Sequence, residues 1–409
     1  MDIVLQKSEI KSQQSPINIT GSKSESNRLL LLQALYPDIQ ILNLSNSDDT
    51  VFMAKALSTD LNIIDVHHAG TAMRFLTAYF AAKENRTVTI TGSQRMKERP
   101  IKILVDALNQ LGANITYLAH TGFPPLQITG QKLAKNKVVI QASVSSQYIS
   151  ALLLMGSKLE NGLHLTLEGE ITSMPYIKMT LQLLNQIGVE TTFEKNVIQI
   201  KQLKELKKTT LTVESDWSSA SYFYSLVALS NIGTEITLAS YKTDSLQGDS
   251  VLVEIYKQFG VSTSFQDNNI TLKKVTEVNS SVEIKLDLVN APDIAQTIAV
   301  TCFGFGITCY LTGLHTLKIK ETDRLVALKM ELEKLGATVI ITANSFQLEA
   351  TSTIKNDIAV NTYNDHRMAM AFAPLALKTN LVINDAEVVS KSYPSFWSDL
   401  KATGIRLSE

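Results

Sequence analysis

The sequence contains few cysteines, almost no net charge and no metal-ligand spacing. Of 409 residues only Cys302 and Cys309 are cysteines, and both lie in an apolar segment. Two such thiols exclude an exterior built on disulfides, and we expect both to be buried. The net charge of −1 argues against a partner such as nucleic acid, which binds proteins with a general basic excess. Because the six histidines show no HExxH or other ligand spacing, we predict no metal site.

Long hydrophobic runs are also lacking. The first residues, MDIVLQKSEIKSQQ, contain no apolar core of a signal peptide, and no window reaches the length of a membrane span. We therefore expect a cytoplasmic protein without a membrane partner. Hydrophobic residues make up 44% of the chain and charged residues 19%, which is enough for full cores and excludes disorder. The length indicates two or three domains.

A repeat of roughly 70 residues runs along the chain. Its mark is a helical pattern that ends in glycine and leads into an apolar, strand-like run. A glycine just after a helix adopts the left-handed conformation at little cost. The five glycines are Gly112, Gly188, Gly260, Gly336 and Gly404. A further copy without the glycine precedes Leu61.

Short strand-like segments flank these helical patterns and complete the repeat. They are VTITG, VVIQA, HLTLEG, VIQIKQ, TLTVE and EITLA. We interpret the chain as an α+β fold of about six similar units, divided between two similar domains. A lysine-rich stretch indicates a crossover near Ser215, and domains of equal size require another near Thr20. The predicted domains are 20–215 and a discontinuous domain of 1–19 with 216–409.

The most informative motif is GSKSESNRLLLL, from Gly21 to Leu32. It places Lys23, Ser24, Ser26 and Arg28 in front of an apolar run. Serine and asparagine cap helices, and the first turn of a helix has backbone N–H groups without internal partners. Together with the helix dipole and two cations, these donors predict an anion site.

Other predicted helix starts carry similar groups. The motif AGTAMRF offers Gly70 and Thr71, and glycine allows a backbone N–H to approach a phosphate closely. The motif MKERP places Lys97 and Arg99 before a proline that suits the first turn of a helix. The motif SVSSQYISALLL offers neutral donors for hydroxyls and phosphates, namely Ser145, Ser146 and Gln147. The least specific motifs are SMPYI (173–177) and KSYPSF (391–396).

Acid–base chemistry is indicated by KETDR, from Lys320 to Arg324. We predict Thr322 as the N-cap and Asp323 in the first turn of a helix. A carboxylate between two cations, Glu321 between Lys320 and Arg324, is typical of catalysis beside an anion.

Two more segments carry candidate groups for the same chemistry. NDHRMAM places Asp365, His366 and Arg367 before an apolar helix, and arginine binds carboxylates with two parallel hydrogen bonds. Asp293 follows an alternating strand and is a candidate base for a hydroxyl. The cations come from both halves of the chain, so we expect a cleft between the domains that stays open until anions bridge it.

These motifs, in order over nearly the whole chain, resemble those of the EPSP synthase family of enolpyruvyl transferases. GSKSESNR, KETDR and NDHRMAM are highly specific as a set. The resemblance implies two domains of three βαβαββ units each, in an inside-out α/β arrangement similar to a barrel. It also implies that the chain crosses twice between the domains and that the active site lies in the interdomain cleft.

The resemblance implies transfer of the enolpyruvyl group of phosphoenolpyruvate to the 5-hydroxyl of shikimate 3-phosphate, with release of phosphate. This reaction leads to chorismate and the aromatic amino acids, and glyphosate inhibits the family in general. The partners are then two small-molecule substrates, with no cofactor, and we expect a monomer.

The resemblance also implies roles for individual residues. For catalysis these are Asp293 as the base for the 5-hydroxyl, Glu321 as the acid for the methylene carbon, and Lys23. For phosphoenolpyruvate binding they are Lys23, Gly70, Arg99, Gln147, Arg324, Arg367 and Lys391. For shikimate 3-phosphate binding they are Lys23, Ser24, Arg28, Ser145, Ser146, Gln147, Ser173, Tyr176, Asp293 and Lys320.

The sequence departs from the family pattern at four positions. His68 stands where asparagine is usual, Phe75 where proline or leucine is common, Met174 in place of lysine, and Thr316 in place of asparagine. These departures leave the main charges intact and concern the shape around the phosphate of phosphoenolpyruvate.

Two other functions remain open from the sequence. One is enolpyruvyl transfer to a UDP-amino sugar, a related reaction that commonly uses a loop cysteine, whereas both cysteines here lie in an apolar run. The other is a non-catalytic protein that binds anions or RNA ends. Such a protein would have no need of Asp293 and Glu321.

Overall fold

The computed structural model describes residues 1–12, 15–143, 145–279 and 281–409. The helices are α1 (Lys23–Leu35), α2 (Asp48–Ser58), α3 (Gly70–Ala82), α4 (Gln94–Lys97), α5 (Lys102–Leu111), α6 (Ser146–Gly156), α7 (Met174–Gln186), α8 (Trp217–Leu229), α9 (Leu252–Ile255), α10 (Ala295–Phe305), α11 (Arg324–Lys334), α12 (His366–Phe372) and α13 (Phe396–Ala402).

The strands are β1 (Ile3–Gln6), β2 (Ile39–Leu42), β3 (Ile63–Asp65), β4 (Thr87–Thr91), β5 (Asn114–Tyr117), β6 (Leu126–Thr129), β7 (Lys137–Gln141), β8 (Leu163–Glu168), β9 (Thr191–Glu194), β10 (Val197–Ile200), β11 (Thr209–Thr212), β12 (Glu235–Ala239), β13 (Val261–Gln266), β14 (Asn269–Lys274), β15 (Ile284–Asp287), β16 (Cys309–Thr312), β17 (Val339–Ile341), β18 (Phe346–Leu348), β19 (Ile358–Val360), β20 (Leu381–Ile383) and β21 (Arg406–Ser408).

The chain divides into two compact units. The continuous unit comprises Gly21–Val213, and the discontinuous unit comprises Met1–Thr20 together with Glu214–Glu409. The lysine-rich stretch noted in the sequence lies shortly before this division and contributes β11, which pairs in parallel with β2.

One sheet topology recurs in both units. The strand orders are β3-β4-β6-β5 and β7-β8-β10-β9 in the continuous unit, and β15-β16-β18-β17 and β19-β20-β1-β21 in the discontinuous unit. In each sheet the first two strands are parallel and the remaining pairs are antiparallel. A helix follows each of the first two strands, so each repeat has the βαβαββ order that the sequence analysis predicts.

The N-terminal strand completes a sheet formed by the C-terminal part of the chain. β1 lies between β20 and β21, with Ile3 opposite Ile383 and Leu5 opposite Leu407. A second N-terminal residue, Ile17, forms an isolated parallel bridge to Leu238 of β12. The N-terminal segment therefore contributes to two sheets of the discontinuous unit, one through β1 and the other through the bridge at Ile17.

The helices form the interior of each unit and the sheets cover them. In α3 every residue from Gly70 to Ala81 is buried, and in α8 every residue is buried. Strands such as β8 alternate between fully and partly buried positions. In the continuous unit α1, α3 and α6 pack on one another, and in the discontinuous unit α10 packs on α8 and α12. Helices at the centre and sheets outside form the inside-out arrangement expected from the sequence.

The repeated glycines have the predicted conformation. All five have positive φ angles, from 73° at Gly260 to 107° at Gly336. Gly112 accommodates a side chain in space, so its φ of 102° is the requirement there, whereas a Cβ at Gly260 would also lie 2.1 Å from the Thr276 carbonyl oxygen. The glycines therefore mark the turn from helix to strand in each repeat.

The structure corrects two predicted helix starts. Asp323, not Thr322, caps α11, because its Oδ1 accepts hydrogen bonds from two backbone N–H groups at 3.2 Å. Pro100 lies outside α5, which begins at Lys102, and the N–H of the preceding Ile101 donates to the Gly122 carbonyl. The charged motif near the start of the chain forms the first two turns of α1, and the apolar run continues that helix.

The predicted burial of the apolar residues is confirmed. Cys302 and Cys309 are both free thiols with no exposed surface. Along α11 a stripe of leucines is buried, namely Leu325, Leu328 and Leu332, and it continues to Leu335. None of the helices in the described parts of the chain is long and apolar enough to cross a membrane.

Candidate functional site

In the continuous unit, two predicted helix starts lie close together. Gly70 and Thr71 begin α3, and Gln147 lies in the first turn of α6. The Gln147 Nε2 donates to Thr71 Oγ1 at 3.3 Å, and α1 packs against both helices. The N-terminal ends of α3 and α6 therefore lie close together, and each carries backbone N–H donors and a positive dipole end. Such a pair of helix starts favours an anion.

Arg99 adds a cation to this place. A Cβ built on Gly70 would lie 2.5 Å from one terminal guanidinium nitrogen of Arg99 and 2.9 Å from the other. The guanidinium thus lies directly against the first residue of α3, and any side chain at Gly70 would require it to move. Behind it, Arg74 is buried and donates to the carbonyls of Gly70 and Pro100 at 3.2 and 2.9 Å. Burial, together with the charge of Arg99, lowers the pKa of Arg74 to about 10.

Arg28 is a second buried cation, and its partners are neutral oxygens. Its guanidinium donates to Thr180 Oγ1 at 2.7 Å, to the Ser24 carbonyl at 2.7 Å and to Ser150 Oγ at 2.8 Å. It also lies 5.7 Å from the centre of the Tyr176 ring. Burial lowers its pKa to about 10, so it stays charged at neutral pH. Hydroxyls and carbonyls do not neutralise this charge, which remains available to attract a nearby anion.

The remaining predicted residues of this unit also occupy helix starts. Ser145 caps α6 by accepting from the Gln147 N–H, and Ser146 is the first, buried residue of that helix. Ser173 occupies the N-cap position of α7 in a left-handed conformation, with φ of 55°, and its side chain makes no capping hydrogen bond. Lys23, the first residue of α1, is half-buried. The neighbouring Val144 in the SVSSQ motif lies outside the described residues.

In the discontinuous unit, the most buried cation of the predicted site is Arg324, and it contacts three carboxylates. Its Nε donates to Asp365 at 2.6 Å, one terminal nitrogen donates to Asp293 at 2.8 Å, and the other donates to Glu321 at 2.7 Å. Burial lowers the pKa of Arg324, but the three carboxylates more than compensate and raise it. The sequence predicts a cation open to a ligand carboxylate, whereas in this structure protein carboxylates occupy all three nitrogens of the guanidinium.

Asp293 lies in a short 3₁₀ turn before α10 and is surrounded by cations. Besides Arg324, it faces Lys320 Nζ at 3.4 Å and a terminal nitrogen of Arg367 at 3.5 Å. Burial lowers the pKa of Lys320, against the opposing effect of Asp293. For Arg367 the same two influences act, and the Asp293 charge prevails, so its pKa is raised. The structure thus joins KETDR, NDHR and the Asp293 turn in one ion-pair network.

Arg367 retains an unused donor within this network. Its side chain is 9% exposed, and within the described residues its buried Nε has no hydrogen-bond partner. An orphan donor on a buried guanidinium is costly unless a ligand or water pairs with it. Arg367 is therefore the arginine of this unit with spare capacity for a ligand carboxylate.

Lys391 lies beside the NDHR segment. Its Nζ donates to the Asn364 carbonyl at 2.6 Å. Asp365 then caps α12, accepting from the Arg367 N–H at 2.9 Å, so His366 and Arg367 are the first two residues of this helix. Lys391 belongs to KSYPSF, one of the two least specific motifs of the sequence, and the structure places it in contact with the NDHR segment.

Asp249 belongs to the same cluster, although no motif in the sequence indicates it. It is 8% exposed and lies in a short 3₁₀ helix near the start of α9. Burial and the charge of Asp293 raise its pKa to about 7. An aspartate after glycine in a polar segment carries no distinct signal, because its proximity to Asp293 arises only from the fold.

The described residues contain no group of three histidine, cysteine, aspartate or glutamate side chains able to hold a metal ion. The chemistry of the cluster is that of cations, carboxylates and helix N-termini. Such an arrangement binds anionic molecules and transfers protons to or from them.

Comparisons with known proteins agree with this chemistry. A family description, "EPSP synthase (3-phosphoshikimate 1-carboxyvinyltransferase)", matches residues 56–400. A 3-phosphoshikimate 1-carboxyvinyltransferase of Bacteroides fragilis is 44% identical over 394 residues, which cover 95% of each chain. An enzyme of the same name from Buchnera aphidicola is 36% identical over 420 aligned positions, covering 94% of each chain.

Solved structures share the fold. An EPSP synthase from Acinetobacter baumannii superimposes with a TM-score of 0.78 at 20% identity, over the full length of both chains. An enolpyruvyl transferase from Streptomyces tendae gives a TM-score of 0.73 at 13% identity and covers 98% of that chain. With the family match over most of the chain and a relative at 44% identity, this protein belongs to the EPSP synthase family.

Proposed function

We propose that this protein transfers the enolpyruvyl group of phosphoenolpyruvate to the 5-hydroxyl of shikimate 3-phosphate, releasing phosphate. The observation that carries the proposal is the placement of Asp293 and Glu321 on one buried arginine, 2.8 and 2.7 Å from its two terminal nitrogens. The reaction needs one group to accept a proton from a hydroxyl and another to deliver a proton to carbon. Two carboxylates on opposite arms of Arg324 suit these two tasks.

The proposed reaction proceeds by addition and elimination. Asp293 takes the proton of the 5-hydroxyl while the hydroxyl oxygen bonds to the central carbon of phosphoenolpyruvate. Glu321 protonates the methylene carbon in the same stage. In the second stage Glu321 removes a proton from the new methyl group, the bond to the phosphate oxygen breaks, and inorganic phosphate leaves. Holding both substrates in contact supplies up to roughly 7–11 kcal/mol of the barrier reduction in favourable cases.

The three carboxylates on Arg324 suggest how Glu321 obtains its proton. An ion pair with arginine favours a carboxylate, whereas an acid must hold a proton. In the proposed reaction the substrate carboxylate replaces Glu321 on Arg324, since arginine binds only as many carboxylates as its donors allow. Glu321, 21% exposed at its side chain, is then separated from its cation and binds a proton.

The other roles follow from the geometry of each unit. In the continuous unit, the starts of α3 and α6 and the Arg99 guanidinium are proposed to hold the phosphate of phosphoenolpyruvate, with Lys23. Arg28 and the serines that begin α6 and α7 are proposed to hold shikimate 3-phosphate. In the discontinuous unit, Arg367 and Lys391 are proposed to bind phosphoenolpyruvate. We also propose that the protein acts on these small molecules as a monomer in the cytoplasm.

Phosphate release tests the proposal. The purified protein with both substrates should release phosphate, and with either substrate alone it should not. No release from both substrates at high enzyme concentration would refute the proposed function and favour a non-catalytic anion-binding protein.

The role of Glu321 needs a matched pair of variants. Glu321→Gln should lose turnover by about 10²–10⁴-fold, because an amide cannot donate a proton to carbon, while both substrates still bind. Glu254→Gln, which removes an exposed carboxylate from the same unit, should keep wild-type turnover. Wild-type rates in Glu321→Gln would remove Glu321 from the mechanism.

A further inference from the structure

Glu331 is a fully buried carboxylate to which the proposed function assigns no role. Its side chain has no exposed surface, although it lies on α11, the helix that begins with Arg324. Its two oxygens lie 2.8 and 2.7 Å from Lys334 Nζ, which is one-third exposed. Burial of a charge is costly and needs hydrogen bonds in addition to its counter-ion.

The additional hydrogen bonds of Glu331 come from a single segment. The N–H of Asn361 donates to Oε2 at 3.1 Å, and the hydroxyl of Tyr363 donates to Oε1 at 2.5 Å. Burial, and in second place the hydrogen bond to Glu331, raise the pKa of Tyr363 to about 12, so the phenol remains a donor. Glu331 thus fixes the segment that leads directly into NDHR.

This segment contains an unfavourable backbone conformation. Tyr363 and Asn364 are consecutive left-handed residues, with φ of 54° and 55°. A left-handed tyrosine is uncommon and costs of order 1 kcal/mol or more, so surrounding contacts must hold it. The contact between Tyr363 and Glu331 is one of these.

The turn sets the position of two groups of the proposed site. Asn364 presents its carbonyl to Lys391 Nζ at 2.6 Å. The next residue, Asp365, caps α12 and accepts from Arg324 Nε at 2.6 Å. Arg324 and Glu331 are seven residues apart, two turns of α11, and so lie on one face of the helix. This face therefore holds the segment 361–365 at two points.

We propose that Glu331 is a positioning residue for the phosphoenolpyruvate side of the reaction. It acts through the Tyr363–Asn364 turn. This turn holds Lys391 through the Asn364 carbonyl and sets the direction of the start of α12, where Arg367 lies. The proposal rests on the proposed function, because it uses the roles given there to Lys391 and Arg367. Glu331 itself contacts neither substrate.

Steady-state kinetics of two variants test the proposal. Glu331→Gln keeps the size of the side chain and removes its charge, and Tyr363→Phe removes the phenolic donor. In each, KM for phosphoenolpyruvate should rise by about tenfold, the effect of one lost hydrogen bond, since the turn no longer fixes Lys391. KM for shikimate 3-phosphate should stay within about twofold. The double variant should match the single variants, because both changes break one contact.

A matched control separates this role from a general effect of charge on α11. Glu333→Gln removes an exposed carboxylate from the same helix. It should keep the wild-type KM for phosphoenolpyruvate. Equal changes in the two KM values of Glu331→Gln, or a lower melting temperature with unchanged kinetics, would overturn the proposal and leave Glu331 a purely structural residue. Inactivity of the wild-type protein would refute the proposed function and this proposal together, whereas an active wild type with unchanged variants refutes this proposal alone.

Discussion

Asp365 is expected to contribute strongly to the stability of the discontinuous unit. Its side chain has no exposed surface. One oxygen accepts from Arg324 Nε at 2.6 Å, and the other caps α12 through the Arg367 N–H at 2.9 Å. Asp365→Ala removes both hydrogen bonds and leaves a buried guanidinium with one donor unpaired. Asp365→Asn removes the charge and retains an oxygen for the cap.

The magnitude follows from these contacts. Loss of a helix cap costs about 1 kcal/mol. Breaking a buried ion pair costs about 3–5 kcal/mol. Because Asp293 and Glu321 still neutralise Arg324, we take the low end of the second range and expect Asp365→Ala to lose about 3–4 kcal/mol. Asp365→Asn should lose about 2 kcal/mol, the value of a hydrogen bond to a charged group.

Tryptophan fluorescence during urea unfolding measures this loss. The chain has two tryptophans, Trp217 and Trp397, and both belong to the discontinuous unit. Their emission therefore reports the unfolding of that unit, and the midpoint with its slope gives the free energy. As a control, Asp106→Asn removes an exposed carboxylate, paired with Lys102, from the continuous unit. It should change the free energy of unfolding obtained from tryptophan fluorescence by less than about 0.5 kcal/mol. A loss below about 1 kcal/mol in Asp365→Ala would refute the reasoning that this ion pair is buried and essential.

Two further predictions concern other parts of the molecule. Gly70→Ala places a methyl group 2.5 Å from the Arg99 guanidinium, which must therefore move. In steady-state assays KM for phosphoenolpyruvate should rise, while KM for shikimate 3-phosphate stays constant. A KM for phosphoenolpyruvate equal to that of the wild type would contradict the proposed phosphate site. Burial lowers the pKa of Lys274 from 10.5 to about 8, so the unfolded chain binds more protons between these values. The stability of the discontinuous unit should therefore rise with pH across this window, by at most about 1.4 kcal/mol per pH unit. Lys274→Met should flatten this rise in urea unfolding followed by tryptophan fluorescence, and identical slopes would contradict the assignment.

The repeat of the fold was predictable because it depends on local chemistry. A glycine after each helix, such as Gly112 or Gly336, has a positive φ that other residues rarely adopt, so the residue type alone marks the turn. The helix starts were predicted less well. Thr322 and Asp323 can both cap a helix, and only the folded geometry, with Asp323 facing two N–H groups, decides between them.

The site was predictable in its residue types and not in its pairing. Motifs indicated the cations and the candidate acid Glu321, because these residues are clustered in sequence. That Arg324 contacts Asp293, Glu321 and Asp365 at once depends on three separate segments, which no local pattern relates. Glu331 could not be identified from the sequence for the same reason, since α11 has two glutamates, Glu331 and Glu333, and only burial distinguishes the first from the second.

The position of β1 has a consequence for biosynthesis. The ribosome makes β1 long before its neighbours β20 and β21, so the apolar residues Ile3 and Leu5 lack their strand partners while the intervening chain is translated. The continuous unit emerges in one stretch during this time and is free to fold. Nascent chains should therefore carry a folded continuous unit and an unpaired β1 until β20 and β21 leave the exit tunnel.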